Sequence, residues 1–445
     1  MNILVLNGSP KGANSITLQT LLYLEKLHPE HHFSILHAAA KIHKYEQDFA
    51  EVRAAIEDAD ILIFSYPVYT FIAPAQLHRF IELMQQNHVD LRGKAATQFT
   101  TSKHFYDVTA HEFIRLNLQD LGASFVKGLS ADMEDLLQAE GQKQARDFFD
   151  YLLYCIREKL FEPMPESLPE RQGEPVEPGK AQGNGNKPGN VVLLTDAPEG
   201  DARLCAMIER FIHQLPRKVE IIDIGKIGLK GGCISCFHCA AEGKCIYLDG
   251  FDRFLRERVQ SAEALVTAFT IRNHSMGALF KMYDDRQFCN GHRTVTMGMP
   301  MGYLVNGALE HEPNLRMILQ ARAEVGGNFL AGIATNTDGI DALTRRLNYA
   351  IEHRYTQPRN FYGVGGMKIF RDLIWQMQGL MRADHRFFKA HGQYDFPQKR
   401  RMDMWKMYAV GLLFRNQKLQ KKLGGKISEG MLAPYKKIIE SSIKT

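Results

Sequence analysis

Four cysteines fall within thirteen residues: Cys233, Cys236, Cys239 and Cys245, in the run CISCFHCAAEGKC. The chain has seven cysteines, so more than half crowd into one segment with the spacing C-x2-C-x2-C-x5-C. Thiolates held this closely either bind a metal centre or repel one another. Soft sulfur ligands select iron–sulfur clusters, zinc or copper(I). Zinc usually takes two separated cysteine pairs, which this spacing lacks. Empty, reduced thiols are the remaining reading. Cys155, Cys205 and Cys289 stand singly and read as small buried hydrophobes.

A second chemical signal lies near the start of the chain. The run NGSPKGANS follows an apolar stretch, MNILVLN, and precedes a segment of helical periodicity, SITLQTLLYLEKL. Gly8 and Gly12 allow a sharp turn, Ser9, Asn14 and Ser15 supply hydrogen-bond donors, and Lys11 adds charge. A helix that begins just after such a loop presents its free N–H groups and positive dipole end to an anion. The loop lacks the Gly-Lys-Ser/Thr ending of a Walker loop and is not Gly-x-Gly-x-x-Gly. It reads as a phosphate cradle of another kind.

The elements around these signals alternate. Apolar runs at 2–7, 32–38, 59–67, 95–101 and 122–128 are separated by helical stretches, and a long helix follows over 135–160. Uniformly apolar strands alternating with helices indicate a parallel sheet covered on both faces. Residues 162–189 are rich in Pro, Gly and charge and read as a flexible linker. The pattern then restarts: NVVLLTDAPEGDA mirrors NILVLNGSPKGAN, and the segment 261–285 mirrors 58–82. Further strands are expected at 292–299 and 326–335, with helices at 311–324 and 338–354. The domains are therefore expected at 1–161 and 190–357, followed by a helical extension, 358–445. At 445 residues, 45% hydrophobic and 24% charged, the chain has the length and composition of a multidomain globular protein. Its net charge of +5 is uneven. The extension has 18 Lys+Arg against 6 Asp+Glu, about +12, which leaves the rest mildly acidic.

The opening GSPKGANS and the segment SYPVYTFIAPAQLHRFIE resemble the flavodoxin-like NAD(P)H-dependent FMN reductases. The resemblance implies an α/β fold of two tandem, doubly wound parallel-sheet domains. It also implies that Ser9, Lys11, Asn14 and Ser15 hold the phosphate of FMN. Pro67, Val68, Tyr69 and Thr70 would lie along the flavin ring, with Thr100, Thr101, Ser102 and His104 at its other edge. Family members often carry glycines in that last loop; here His104, Phe105 and Tyr106 stand instead, which narrows the expected pocket. The second domain resembles the iron–sulfur flavoproteins, and that likeness implies a [4Fe-4S] cluster on Cys233, Cys236, Cys239 and Cys245. The second domain's own loop carries Asp196, Glu199 and Asp201 where a phosphate would sit, which is hostile to an anion. One FMN, in the first domain, is expected.

The resulting expectation is an FMN-dependent oxidoreductase passing electrons from NAD(P)H or a ferredoxin to an unidentified acceptor, through the cluster. No side-chain nucleophile or triad is evident; His104 and Tyr106 are candidates for ring or substrate contact. The alternatives are a non-enzymatic flavodoxin-like electron carrier, or a second domain that is only a structural or zinc-binding interaction module. A small molecule or a redox protein is the expected partner, with no nucleic acid. The two domains are expected to form a pseudo-dimer within the chain, with a homodimer also open. The N-terminus lacks the marks of a signal peptide, and a cytoplasmic location follows as an expectation. The helices of the extension carry the only two tryptophans, Trp375 and Trp405. Their apolar faces are expected to pack onto the second domain, with membrane contact as the alternative.

Overall fold

The computed structural model describes residues 1–165, 175–177, 179, 187–196, 201–414, 432, 435 and 438. The first domain places strands β1 (Asn2–Asn7), β2 (His32–Leu36), β3 (Ile61–Pro67), β4 (Ala95–Ser102), β5 (Ser124–Phe125) and β6 (Leu129–Asp132) in one sheet. Its helices are α1 (Ile16–Leu27), α2 (Ile42–Gln47), α3 (Ala50–Asp58), α4 (Ala75–Gln86), α5 (Asp107–Asp120) and α6 (Ala139–Glu158). The strand order is β2-β1-β3-β4-β5, with β6 also on β4, and every pair is parallel. Ile3 to Leu6 are fully buried because helices cover both faces of the sheet.

The second domain repeats this plan with β7 (Lys187–Thr195), β8 (Arg217–Asp223), β9 (Ala264–Thr270), β10 (Pro300–Asn306) and β11 (Phe329–Ala334). Between them run α7 (Ala202–Gln214), α8 (His238–Glu242), α9 (Phe251–Phe254), α10 (Gly277–Arg286) and α11 (Pro313–Gly326), and α12 (Thr337–His353) follows the last strand. The order β11-β10-β9-β7-β8 is the first sheet's order read from the other edge. Both sheets thus reverse direction at their first strand, the arrangement that opens a crevice at the strands' carboxyl ends.

One expected strand is misplaced. Residues 292–299, HRTVTMGM, form turns, and the strand is Pro300–Asn306. A strand covered on both faces needs a continuous apolar run, and GYLVN has one: Tyr303, Leu304 and Val305 are buried. The alternating Thr and Val of 292–299 lie at the surface of a loop instead. The proposed linker, 162–189, lies mostly outside the described residues. Within it, Val176 packs on the second core and the Glu177 carbonyl accepts from Arg210 (2.7 Å).

The chain divides into two compact units, Met1–Phe387 and Phe388–Thr445. Within the first, helix α13 (Phe361–Gln376) is capped by Asn360, which accepts from the N–H groups of Tyr362 and Gly363. It packs on α11, with Gly363 against Glu324 and Gly366 against Val325. Helix α14 (Arg382–Ala390) crosses into the second unit, which also holds α15 (Arg401–Phe414). Among the described residues, no helix is long and apolar enough to cross a membrane.

The two domains meet through α4 and α10 in a reciprocal contact. The Ala75 N–H, at the start of α4, donates to Asp285 of α10 (2.8 Å). The Ala278 N–H, near the start of α10, donates to Glu82 of α4 (2.7 Å). Each helix supplies the carboxylate for the other's unsatisfied first turn. Both partners of each bond sit 203 positions from their counterparts in the other. The first domain's core also takes in Ile318, Ala321 and Val325 of α11, so its hydrophobic interior is shared with the second domain.

Candidate functional site

The phosphate loop is built on Asn7, the last residue of β1. Its side chain donates to the Gly12 carbonyl (2.8 Å) and accepts from the Ser9 N–H (3.1 Å), which curls the loop around itself. Gly12 has φ +56, a conformation that favours glycine. Gly8 lies so close to Leu77 that a Cβ there would come within 2.5 Å of it. Ser15 caps α1 by accepting from the Leu18 N–H. The Thr17 and Thr101 hydroxyls are 2.6 Å apart and tie α1 to the end of β4. The cradle that results contains Ser9 and Ser15, both buried, and the cation of Lys11.

The loop after β3 is held in a tight turn in which Tyr69 and Ile72 exchange backbone hydrogen bonds of 2.8 and 3.2 Å. Thr70 and Phe71 take φ +45 and +77, unusual for residues with a Cβ, and Thr109 anchors the Phe71 carbonyl through its hydroxyl. The same turn recurs in the second domain at Arg272–Ser275, with Asn273 and His274 at positive φ. Equal backbones carry different side chains, so only the first copy offers Pro-Val-Tyr-Thr to a ligand.

The second domain clamps that loop. Lys281 and Asp285 of α10 form an ion pair with almost no solvent exposure, and the Lys281 ammonium also donates to the Tyr69 carbonyl (3.0 Å). Burial pushes the Asp285 carboxyl up to about 6, against the attraction of Lys281. Asp284 meets Arg322 in the same buried group. Burial raises the Tyr69 phenol's pKa, opposed by its hydrogen bond with Ser235, so the ring loop touches the cysteine segment directly. The Gln76 amide reaches the Cys233 carbonyl (3.4 Å), and Lys11 lies 5.4 Å from the centre of the Phe237 ring.

Arg286 organises the cysteine segment. It is buried, holds Asp249 through two bonds of 2.8 Å, donates to the Gly231 carbonyl (3.0 Å) and stacks over Tyr247. Its Nη2 also lies 3.8 Å from Cys245 Sγ. Ser235 and Phe237 adopt positive φ, and the Ser235 N–H points at Cys233 Sγ (3.4 Å). Burial pushes the Cys233 thiol up to about 12 and Cys239 to about 11. All four cysteines are free thiols. Among the described residues no three cysteine, histidine or carboxylate side chains converge so as to hold a metal ion. The donor set suits a cluster chemically; the conformation of the segment does not gather it.

These parts enclose one cavity of about 770 Å³. Ser9, Lys11 and Ser15 line it, with Pro67 to Thr70, then Thr101 and Ser102. Cys233, Cys236, Cys239 and Cys245 line it too, joined by Cys289. Four expected contacts fall elsewhere: Asn14, Thr100, His104 and Tyr106 are not on its wall. Thr100 bonds to His111 (2.8 Å), and His104 turns to Asp107 (2.8 Å) at the start of α5. Phe105, Tyr106 and Phe71 meet tilted or edge-on, and Phe105, which also lines the cavity, meets Phe370 of α13 (4.6 Å), so these bulky residues also seat the extension. That helix adds Ile369, Phe370 and Leu373 to the cavity wall, a contribution that no motif announced.

In the second domain's counterpart of the cradle, residues 197–200 lie outside the described residues, and the described flanks are acidic. Asp196 is buried against Arg272 (2.7 Å), and burial pushes its carboxyl up to about 6. Asp201 caps α7 and accepts from Asn306 (3.1 Å). Glu199 lies outside the described residues.

Residues 1–131 match the NADPH-dependent FMN reductase family. The match ends within β6, and the cysteine segment lies beyond it. Several solved structures are similar to part of this chain. A Streptococcus mutans UA159 protein, Smu.1420, is 21% identical over 34% of this chain and 98% of its own, with a TM-score of 0.28. General stress protein 14 of Treponema denticola, in complex with FMN, is 17% identical over 34% and 98%, with a TM-score of 0.28. The NAD(P)H:(acceptor) oxidoreductase FerB of Paracoccus denitrificans is 19% identical over 35% and 97%, with a TM-score of 0.29. No curated protein matches.

Proposed function

We propose that the protein is an FMN-dependent NAD(P)H oxidoreductase in which the first domain holds the flavin and the second closes the site. The observation that carries this reading is a single cavity lined by the phosphate cradle, the Pro67–Thr70 loop and the end of β4. Bound there, FMN would supply two-electron chemistry between a reduced nicotinamide and an acceptor. Ser9, Ser15 and the first N–H groups of α1 would bind its phosphate, with Lys11 balancing the charge. Pro67, Val68, Tyr69 and Thr70 would orient the ring, held in place by Lys281 from the second domain. Leu373 and Phe370 would exclude water from the far wall. The carboxylates of Asp196 and Asp201 at the counterpart position support one flavin per chain.

The finer reading places a [4Fe-4S] cluster on Cys233, Cys236, Cys239 and Cys245. Four thiols on one short segment, with a backbone N–H directed at one sulfur, support it. Because the thiols do not converge, the segment would have to close around a cluster.

The test begins with the absorption spectrum of anaerobically purified protein, with flavin released, identified and counted. One FMN per chain and turnover of NAD(P)H with a soluble acceptor are expected. Two FMN per chain would overturn the assignment of the second domain. Flavin that reduces only through a protein partner would make the molecule a carrier. Iron and acid-labile sulfide decide the cluster separately; zinc alone, or no metal, would sink it.

A further inference from the structure

Helix α15 has an unusual surface. Met402, Met404, Trp405, Met407, Tyr408 and Leu412 are all exposed, and helical spacing spreads them over more than half of the circumference. Its only charged residues after Arg401 are Asp403 and Lys406, which pair with each other (3.7 Å) in the first turns. From Met407 to Phe414 no charge occurs. A helix that is apolar all round belongs in an apolar surrounding. A groove on a partner protein covers one face of a helix, whereas lipid covers whichever sides are immersed.

The flanks indicate which surface. Lys399, Arg400 and Arg401 precede the apolar turns, and Arg415, Lys418 and Lys421 follow them in the sequence. Over residues 388–445 the chain has 13 Lys+Arg and 4 Asp+Glu, a charge of +9. The uncharged run 407–414, bounded by Lys406 and Arg415, is too short to span a bilayer. A short apolar helix with tryptophan and tyrosine on it, bracketed by basic residues, has the chemistry of an element lying in the headgroup region of an anionic bilayer.

We propose that α15 docks this protein peripherally on an anionic lipid surface. This inference does not depend on the redox reading. The test uses the full chain with phosphatidylcholine vesicles, with and without phosphatidylglycerol. Co-sedimentation with the anionic vesicles at low salt is expected, weakening as salt screens the basic flanks. In a Trp375→Phe background, the fluorescence of Trp405 shifts to the blue on binding. The double variant Trp405→Glu/Met407→Glu lowers partition at least about tenfold, because it places charge where acyl chains would lie. Its circular dichroism and thermal transition should match wild type, since these side chains are exposed. Absence of binding to anionic vesicles at low salt overturns the proposal, as does binding that the double variant retains. A dimer that the double variant dissociates, with no vesicle binding, would show that a second copy covers the helix instead.

Discussion

Ser9 is the residue on which the flavin assignment turns most directly. It is buried at the floor of the cradle, and its N–H is already committed to Asn7. Ser9→Asp would set a carboxylate against the ligand's phosphate, and FMN affinity should fall at least about a hundredfold. Quenching of FMN fluorescence during titration measures this directly; unchanged affinity would place the phosphate elsewhere. The cradle was legible because Gly8, Ser9 and Gly12 sit at the change from strand to helix pattern. The residues that fasten it to the second domain were not. Lys281 and Asp285 have the i, i+4 spacing of an exposed ion pair on an ordinary helix. Their burial arises only when α4, some two hundred residues away, lies across them. Arg286 was hidden because its partners, Gly231, Tyr247 and Asp249, come from the cysteine segment and the residues after it.

At the scale of elements, the reciprocal caps of α4 and α10 are alike in geometry and unlike in consequence. Asp285 also neutralises the buried Lys281, whereas the equivalent position beside Glu82 is His78, whose pKa burial lowers well below its usual value. Asp285→Asn should therefore cost about 3 kcal/mol, since it strands a buried ammonium. Glu82→Gln removes one cap and an ion pair with Arg79 for about 1 kcal/mol. Urea denaturation of the two variants measures the gap, and equal losses would mean that Asp284 alone satisfies Lys281. The second domain's turn carries a pH dependence. His274 faces Asp120 (2.8 Å) through one ring nitrogen and Glu312 (2.9 Å) through the other. Burial lowers its pKa, but the two carboxylates outweigh burial and raise it from 6.5 to about 9. A raised histidine pKa stabilises the fold fully below about 6.5 and ceases to do so as pH rises through about 9. Stability should fall over that window, and His274→Gln should flatten the fall. A wild-type profile level from pH 6 to 10 would contradict the pairing.

At the scale of the whole molecule, the repeated strand order was legible from the restart of the pattern after the Pro- and Gly-rich stretch. The sharing of one core was not, because the helical pattern of α11 shows that it has an apolar face and not which domain that face meets. Ile318, Ala321 and Val325 bind the first domain's interior to the second, so residues up to Phe387 should unfold in one transition. Calorimetry checks this: a calorimetric enthalpy well above the van't Hoff value would reveal two independent domains. The α4–α10 contact has the form of a twofold contact between identical subunits, yet both halves are covalently joined. Subunits of a symmetric dimer separate on dilution, and a site walled by both disappears with them. Here the effective concentration of one wall for the other is fixed by the polypeptide. Specific activity should stay constant down to the most dilute assay. Moreover, a substitution on either side of the contact strikes once per molecule rather than twice, so Lys281 could arise opposite His78 without its mirror image.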